Sequence, residues 1–204
     1  MDVQQIQAAL SPYLAGSQLN EVQLEQVRVY LDLLLKWNAK TNLTAVRNPE
    51  EIVTRHFGES FFAAKAWLGS EKVSSVIDFG SGAGFPGLPM AIYAPETQVT
   101  LIESQNKKST FLKEVVRSTN LKNATVFAGR GEDFPGRASL VTLRAVENFS
   151  RSVGSAARLI EPGGRLGLMV GVGQESSLPA DFKWEMGNAV PGATGRVLAT
   201  GSRK

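Results

Sequence analysis

The stretch VIDFGSGAGFPGLP, Val76 to Pro89, holds four glycines within eight residues, directly behind a short apolar run. Such a run bounded by glycine reads as a buried strand, and Pro86 is well placed near the start of a following helix. Gly80, Gly82, Gly84 and Gly87 can adopt positive φ and leave no Cβ between the backbone amides and an approaching ligand. In a doubly wound sheet, ligands bind beyond the carboxyl ends of the strands, and the first strand-to-helix turn is the usual cradle. Close ligand approach is the reading taken here. The competing one is a glycine-rich turn kept only for tight strand-helix packing.

Working outward, the pattern on the carboxyl side of this turn alternates. Strands are expected at KVSSVIDFG (72–80), QVTLIES (98–104), ATVFAG (124–129), ASLVTLRAV (138–146) and RLGLMVGV (165–172). Helices are expected at PGLPMAIYAP (86–95), NKKSTFLKEVVRSTNL (106–121) and NFSRSVGSAARLI (148–160), with EPGG (161–164) as a turn. Alternation of this kind implies βαβ units and a parallel sheet. The segment 183–204 suggests one or two further strands. On the amino side only helices are expected. Leu24, Val27, Leu31 and Leu34 recur at helical spacing behind a capping box of Asn20 and Gln23. Asn48 with Pro49, Glu50 and Glu51 opens a second helix reaching Trp67. The fold class is thus α/β, a doubly wound and mostly parallel sheet, with residues 1–69 as a helical region packed on a ligand-binding domain of residues 70–204.

Composition narrows the chemistry. The 204 residues contain no cysteine and one histidine, which excludes disulfides, thiolate metal sites and cysteine nucleophiles and leaves no metal site to expect. No apolar stretch approaches the roughly 18 residues of a membrane span, and the start lacks signal-peptide character, so a cytoplasmic protein without membrane contact is expected. Net charge is only +3, yet residues 104–151 carry nine basic and four acidic side chains. That surplus is either a footprint for a polyanion or a solvated helix face.

Two cofactor classes compete for the glycine turn, because Gly82, Gly84 and Gly87 also satisfy the dinucleotide spacing G-x-G-x-x-G. Asp78 discriminates: a carboxylate beside the turn opposes a pyrophosphate and suits a cationic ligand such as S-adenosylmethionine. Glu103, ending the second strand, can accept from ribose hydroxyls in either case. Gly131, Glu132 and Asp133 offer a backbone amide and carboxylates for an adenine edge. Arg144, at the end of the fourth strand, follows apolar or small residues and needs a partner there. That partner is a cofactor carboxylate, a substrate phosphate or base edge, or a structural acid such as Glu147. His56, Trp37 and Trp67 read as packing residues.

Taken together, DFGSGAGFPGLPMA, LIESQNKKSTFLKEV, GRGEDF and LRAV, with LLLKWNAKTNLTAVRNPEEIVTRHFGES upstream, closely resemble the ribosomal RNA small subunit methyltransferase G family, also called glucose-inhibited division protein B. The resemblance spans roughly residues 20–171. It implies a Rossmann-like class I fold, S-adenosylmethionine as cofactor, and methylation of guanine N7 at nucleotide 527 of 16S ribosomal RNA, on the naked RNA or the small ribosomal subunit. A monomer is expected. Carried over by position, cofactor contacts fall on Gly80, Phe85, Gly131, Glu132 and Arg144. Glu103 and Glu59 stand where the family commonly has aspartate, and Val170 where many relatives have lysine, a cation for which Arg165 is the candidate substitute.

Guanine N7 presents a lone pair, so its methylation needs no proton removal and no general base is expected. Arg144 is the candidate positioning residue, and Lys107, Lys108, Lys113 and Arg117 are the candidate phosphate contacts. Two other functions stay open on the residues alone: an NAD-dependent oxidoreductase, from the embedded glycine spacing, and a non-catalytic RNA-binding ribosome-assembly factor, from the loss of lysine at Val170.

Overall fold

The alternating pattern forms, in the computed structural model, a seven-stranded sheet of order β3-β2-β1-β4-β5-β7-β6. Described are residues 1–14, 16–69, 73–144, 149–171, 178–193 and 195–204, the side chains of 149 and 150 excepted. The strands are β1 (Ser75–Phe79), β2 (Gln98–Glu103), β3 (Ala124–Ala128), β4 (Ala138–Arg144), β5 (Ile160–Gly171), β6 (Phe182–Ala189) and β7 (Arg196–Arg203). The first five run parallel; β7 inserts antiparallel between β5 and β6. The strand order reverses between β1-β2-β3 on one side and β4 on the other, which leaves a crevice at the carboxyl ends of β1 and β4.

The segment expected as the turn EPGG lies within β5. The β4–β5 register shifts between Ala138 and Leu140, so the strand runs through Gly163, at φ +80°, as an irregularity instead of stopping there.

The helices are α1 (Val3–Leu14), α2 (Glu21–Thr41), α3 (Pro49–Ile52), α4 (Glu59–Leu68), α5 (Gly87–Tyr93), α6 (Asn106–Ser118) and α7 (Phe149–Ala157). Asn20 and Gln23 form the expected capping box of α2. Gln23 does more, because its Nε2 donates to the carbonyl of Ile92 at 2.7 Å and so ties α2 to the end of α5. The helix expected from Asn48 onward is interrupted by a π-helical turn, Val53–Gly58, between α3 and α4. Tyr13 explains Gly58: a Cβ there would lie 2.6 Å from the tyrosine ring.

One apolar cluster runs from Ile6 and Leu10 of α1, through Val27, Tyr30 and Leu34 of α2 and Phe57, to Leu88, Leu101 and Phe111 around the sheet. A second, with Val141, Val153, Leu168 and Val170, fills the space under α7. Helices α1 to α4 therefore share a core with the sheet. Trp67 is buried and donates to Thr200 Oγ1 at 3.0 Å, and Trp37 donates to Glu114 at 3.0 Å. Both tryptophans pack as expected. Among the described residues no helix is long and apolar enough to cross a membrane.

Candidate functional site

Two adjoining cavities open over the carboxyl ends of the parallel strands, of about 370 and 400 Å³. Phe79, Gly80, Glu103 and Ser152 line both, so they form one groove. The first half is walled by Gly129, Arg130, Gly131, Glu132 and Arg151. The second is walled by Leu43, Thr44, His56, Gly82, Phe85, Lys108 and Arg144. Their volumes fall within the range of small-molecule sites.

The four glycines divide into two pairs. Gly80 and Gly82 take φ of +69° and +56° on the wall of the groove, and a Cβ at Gly82 would meet only the Gly80 carbonyl oxygen, in ordinary contact at 3.9 Å. Gly84 and Gly87, by contrast, serve packing. A Cβ at Gly84, at φ +97°, would lie 2.6 Å from the hydroxyl of Tyr30 and 2.5 Å from Leu88, and one at Gly87 would lie 2.7 Å from Asp78 Cβ. Gly84 lines neither cavity, which corrects its assignment to ligand contact. Two of the three glycines of the dinucleotide spacing, Gly84 and Gly87, are therefore packing residues, and only Gly82 faces the groove.

Asp78, expected beside the ligand, does not reach the groove. It is 1% exposed and lies beneath the turn, lining neither cavity. Its Oδ1 accepts from Thr142 Oγ1 at 3.0 Å, and its Oδ2 accepts from the Gly87 amide at 3.2 Å. The carboxylate fastens the turn to β4 and the first turn of α5. Burial pushes its pKa up to about 6, against the lowering effect of these donors.

Glu103 faces the groove. Its Oε2 accepts from the Gly82 amide at 2.9 Å and its Oε1 from the Gln105 amide at 2.7 Å. Each oxygen keeps acceptor capacity for a ribose hydroxyl. Gly131 begins a 3₁₀ turn (Gly131–Asp133) against Phe79, whose ring a Cβ would meet at 2.1 Å. Glu132 accepts from Ser155 Oγ at 2.8 Å, and Asp133 stands on the exposed side.

Phe85 is buried between Tyr30, ring centroids 5.3 Å apart, and His56, 5.1 Å apart. Tyr30 donates its hydroxyl to the Ala83 carbonyl, so α2 forms the floor of the turn. His56 Nε2 lies 2.7 Å from Thr44 Oγ1, and burial, with three arginines nearby, pushes its pKa down to about 3. The sole histidine is therefore neutral near pH 7 and a poor base.

Arg144 reaches the groove with its side chain 10% exposed. Glu147 lies outside the described residues; the acid that pairs with Arg144 is Glu59, at 2.6 Å. A fixed separation of 85 residues along the chain hides that partner from any local pattern. The π-turn carbonyl of Arg55 and the hydroxyl of Ser60 accept from the same guanidinium at 2.8 and 3.3 Å.

Of the basic candidates, Lys108 lines the groove, while Lys107, Lys113 and Arg117 are exposed along α6. Arg165 does not belong with them. It is paired with Leu140 at the opposite end of β4 from Arg144, about 13 Å away along the strand, so it cannot substitute for a cation at Val170. Val170 itself is fully buried in the cluster under α7. Arg130 and Arg151, which flank the first cavity, were not singled out by spacing, though the local basic surplus contains both.

The family model described as rRNA small subunit methyltransferase G matches residues 23–189. A protein named ribosomal RNA small subunit methyltransferase G from Xanthomonas euvesicatoria is 38% identical over 191 residues, 91% of this chain and 87% of the relative. One of the same name from Bacillus pumilus is 38% identical over 156 residues, 74% of this chain and 64% of the relative. Among solved structures, magnesium protoporphyrin IX methyltransferase from Synechocystis, with bound SAM, superposes with a TM-score of 0.65 at 15% identity, covering 86% of this chain and 97% of that one. A likeness at that identity concerns the fold, which is that of the class I methyltransferases. The matched residues include the glycine turn, Glu103, Glu132 and Arg144, and with them the oxidoreductase reading falls: the chain belongs to the rRNA small subunit methyltransferase G family.

Proposed function

We propose that this protein methylates N7 of a guanine in 16S ribosomal RNA, nucleotide 527 by family resemblance, with S-adenosylmethionine as donor. The observation that carries the reading is the single groove in which a bare-backbone turn and Glu103 adjoin a wall bearing Arg144 and Lys108. The residues present fit the donor: Gly80 and Gly82 line the groove without side chains, and Glu103 offers acceptor oxygens beside them. Gly80, Gly82 and Glu103 would hold its aminoacyl and ribose parts, and Gly131 and Glu132 its adenine. When bound, S-adenosylmethionine supplies a methyl group activated by a sulfonium.

The chain's own task is alignment. A guanine N7 lone pair needs no deprotonation, and this agrees with a wall whose one histidine is held neutral by burial. Phe85 and Leu43 give the second half of the groove an apolar lining, while Arg144 orients the reactants and Lys108 attracts phosphate at the mouth. Lys107, Lys113 and Arg117 extend that basic surface along α6 and position the RNA without selecting sequence.

The test uses purified protein, isotopically labelled donor, and small subunits or naked 16S RNA from cells lacking the protein. The expected result is one labelled 7-methylguanine, mapped by chemical cleavage at the modified base. Label on another atom, or RNA binding with no transfer, would overturn the reading, the latter in favour of an assembly factor.

A further inference from the structure

We propose that Glu59 and Arg196 are positioning residues that aim Arg144 at the reactants. The inference rests on the reading of Arg144 as the residue that orients them.

Glu59, the first residue of α4, is 1% exposed, and its Oε2 receives two guanidiniums: Arg144 at 2.6 Å and Arg196 at 3.2 Å. Arg144 spends its other donors on the carbonyls of Arg55 and His56 and the hydroxyl of Ser60. Every acceptor comes from the π-turn or from α4. The guanidinium therefore has one orientation, set by a π-turn that Tyr13 of α1 backs at Gly58.

Charge separates this arrangement from a plain structural ion pair. A single arginine suffices to neutralise a buried carboxylate, and Arg196 is already in place to do so. With Arg196 sharing Glu59, Arg144 is held without being fully neutralised. Positive potential is left on the groove wall for an acceptor atom of the base or an anionic group of either reactant. Arg196 opens β7, so the last strand of the sheet contributes to the site through Glu59.

The experiment measures kcat, KM for small subunits, KM for S-adenosylmethionine and Tm for Glu59→Gln, Glu59→Asp and Arg196→Ala, each alone and combined with Arg144→Ala. Glu59→Gln keeps the side chain's shape and removes its charge. It is expected to lower kcat/KM between about 10- and 100-fold. Glu59→Asp should restore most of that loss, and Arg196→Ala should lower kcat/KM about 3- to 10-fold. In the Arg144→Ala background neither Glu59→Gln nor Arg196→Ala should cause a further loss, because both act through the missing side chain. Near-normal kcat/KM in Glu59→Gln with only a lower Tm overturns the inference, as do losses that multiply in the Arg144→Ala background. Should Glu59→Gln fail to fold, Arg196→Ala decides by the same background criterion. A wild-type protein that transfers no methyl group to 16S RNA fails the functional reading and this inference with it; an active wild type with multiplying losses fails the inference alone.

Discussion

Alanine at Gly84 and at Gly82 should have opposite consequences, although the two glycines stand two residues apart in one turn. At Gly84 the new methyl would lie 2.6 Å from the Tyr30 hydroxyl and 2.5 Å from Leu88, on a backbone at φ +97°. A left-handed conformation costs a non-glycine residue about 1–2 kcal/mol. Overpacking adds about 1–3 kcal/mol. Tyr30 is fully buried and bonded to the Ala83 carbonyl, so it has little room to yield. A total of about 3 kcal/mol lowers Tm by roughly 10 °C in a chain of this size. At Gly82 only the conformational part applies, and the expected drop is about 4 °C. The methyl there stands in the groove beside Glu103, so affinity for S-adenosylmethionine should fall at least about tenfold, or about 1.4 kcal/mol. Thermal unfolding and titration calorimetry of both variants read the two effects separately. A Gly84→Ala protein that melts within 2 °C of wild type, by a margin of about 1 kcal/mol or less, refutes the packing assignment. A Gly82→Ala protein that binds the donor normally refutes the cradle.

Three further predictions concern other parts of the molecule. His56, as the only histidine, gives one set of imidazole signals in proton NMR; with a pKa near 3 they should stay fixed between pH 5 and 8, and a midpoint near 6.5 would refute its burial. Because the folded value lies below the unfolded one, the stability it contributes is present above about pH 6.5 and is lost as pH falls toward 3, at no more than about 1.4 kcal/mol per pH unit. Lys108→Ala should weaken binding to small subunits and reduce the salt slope by about one ion, while Arg165→Ala should change neither, as filter binding at several salt concentrations would establish. Gln23→Ala removes both half of the α2 capping box and the bond to the Ile92 carbonyl; about 2 kcal/mol, or roughly 6 °C in Tm, is expected, and a change under 2 °C would count against the tether.

What the sequence conveyed follows the range of each signal. Strand and helix order from Val76 to Arg144 was legible because alternation and the glycine turn are local, and so was the capping box at Asn20. Helix α1 was less plain: Ile6, Leu10, Tyr13 and Leu14 fall at helical spacing, but Pro12 lies inside the run and argues locally against a helix there. Nor can a residue pattern distinguish the π-turn at Val53–Gly58 from ordinary helix, since the two differ by one residue in hydrogen-bond reach. The role of Gly84 depended on Tyr30, and that of Arg144 on Glu59, pairs brought together only by tertiary folding. Asp78 shows where proximity in sequence misleads. Proximity to the turn suggested a carboxylate on the rim, but strand periodicity sets it on the same face as buried Val76, which directs it inward to Thr142 and Gly87.

The seating of Tyr30 beneath Gly84 bears on how this protein can be dissected or re-engineered. A fragment beginning near residue 70 would strip the keystone from its own donor pocket, leaving the Ala83 carbonyl and Phe85 without their backing. Swapping in a foreign leader to redirect such an enzyme toward another RNA would succeed only if the transplant brought an equivalent phenol to that spot.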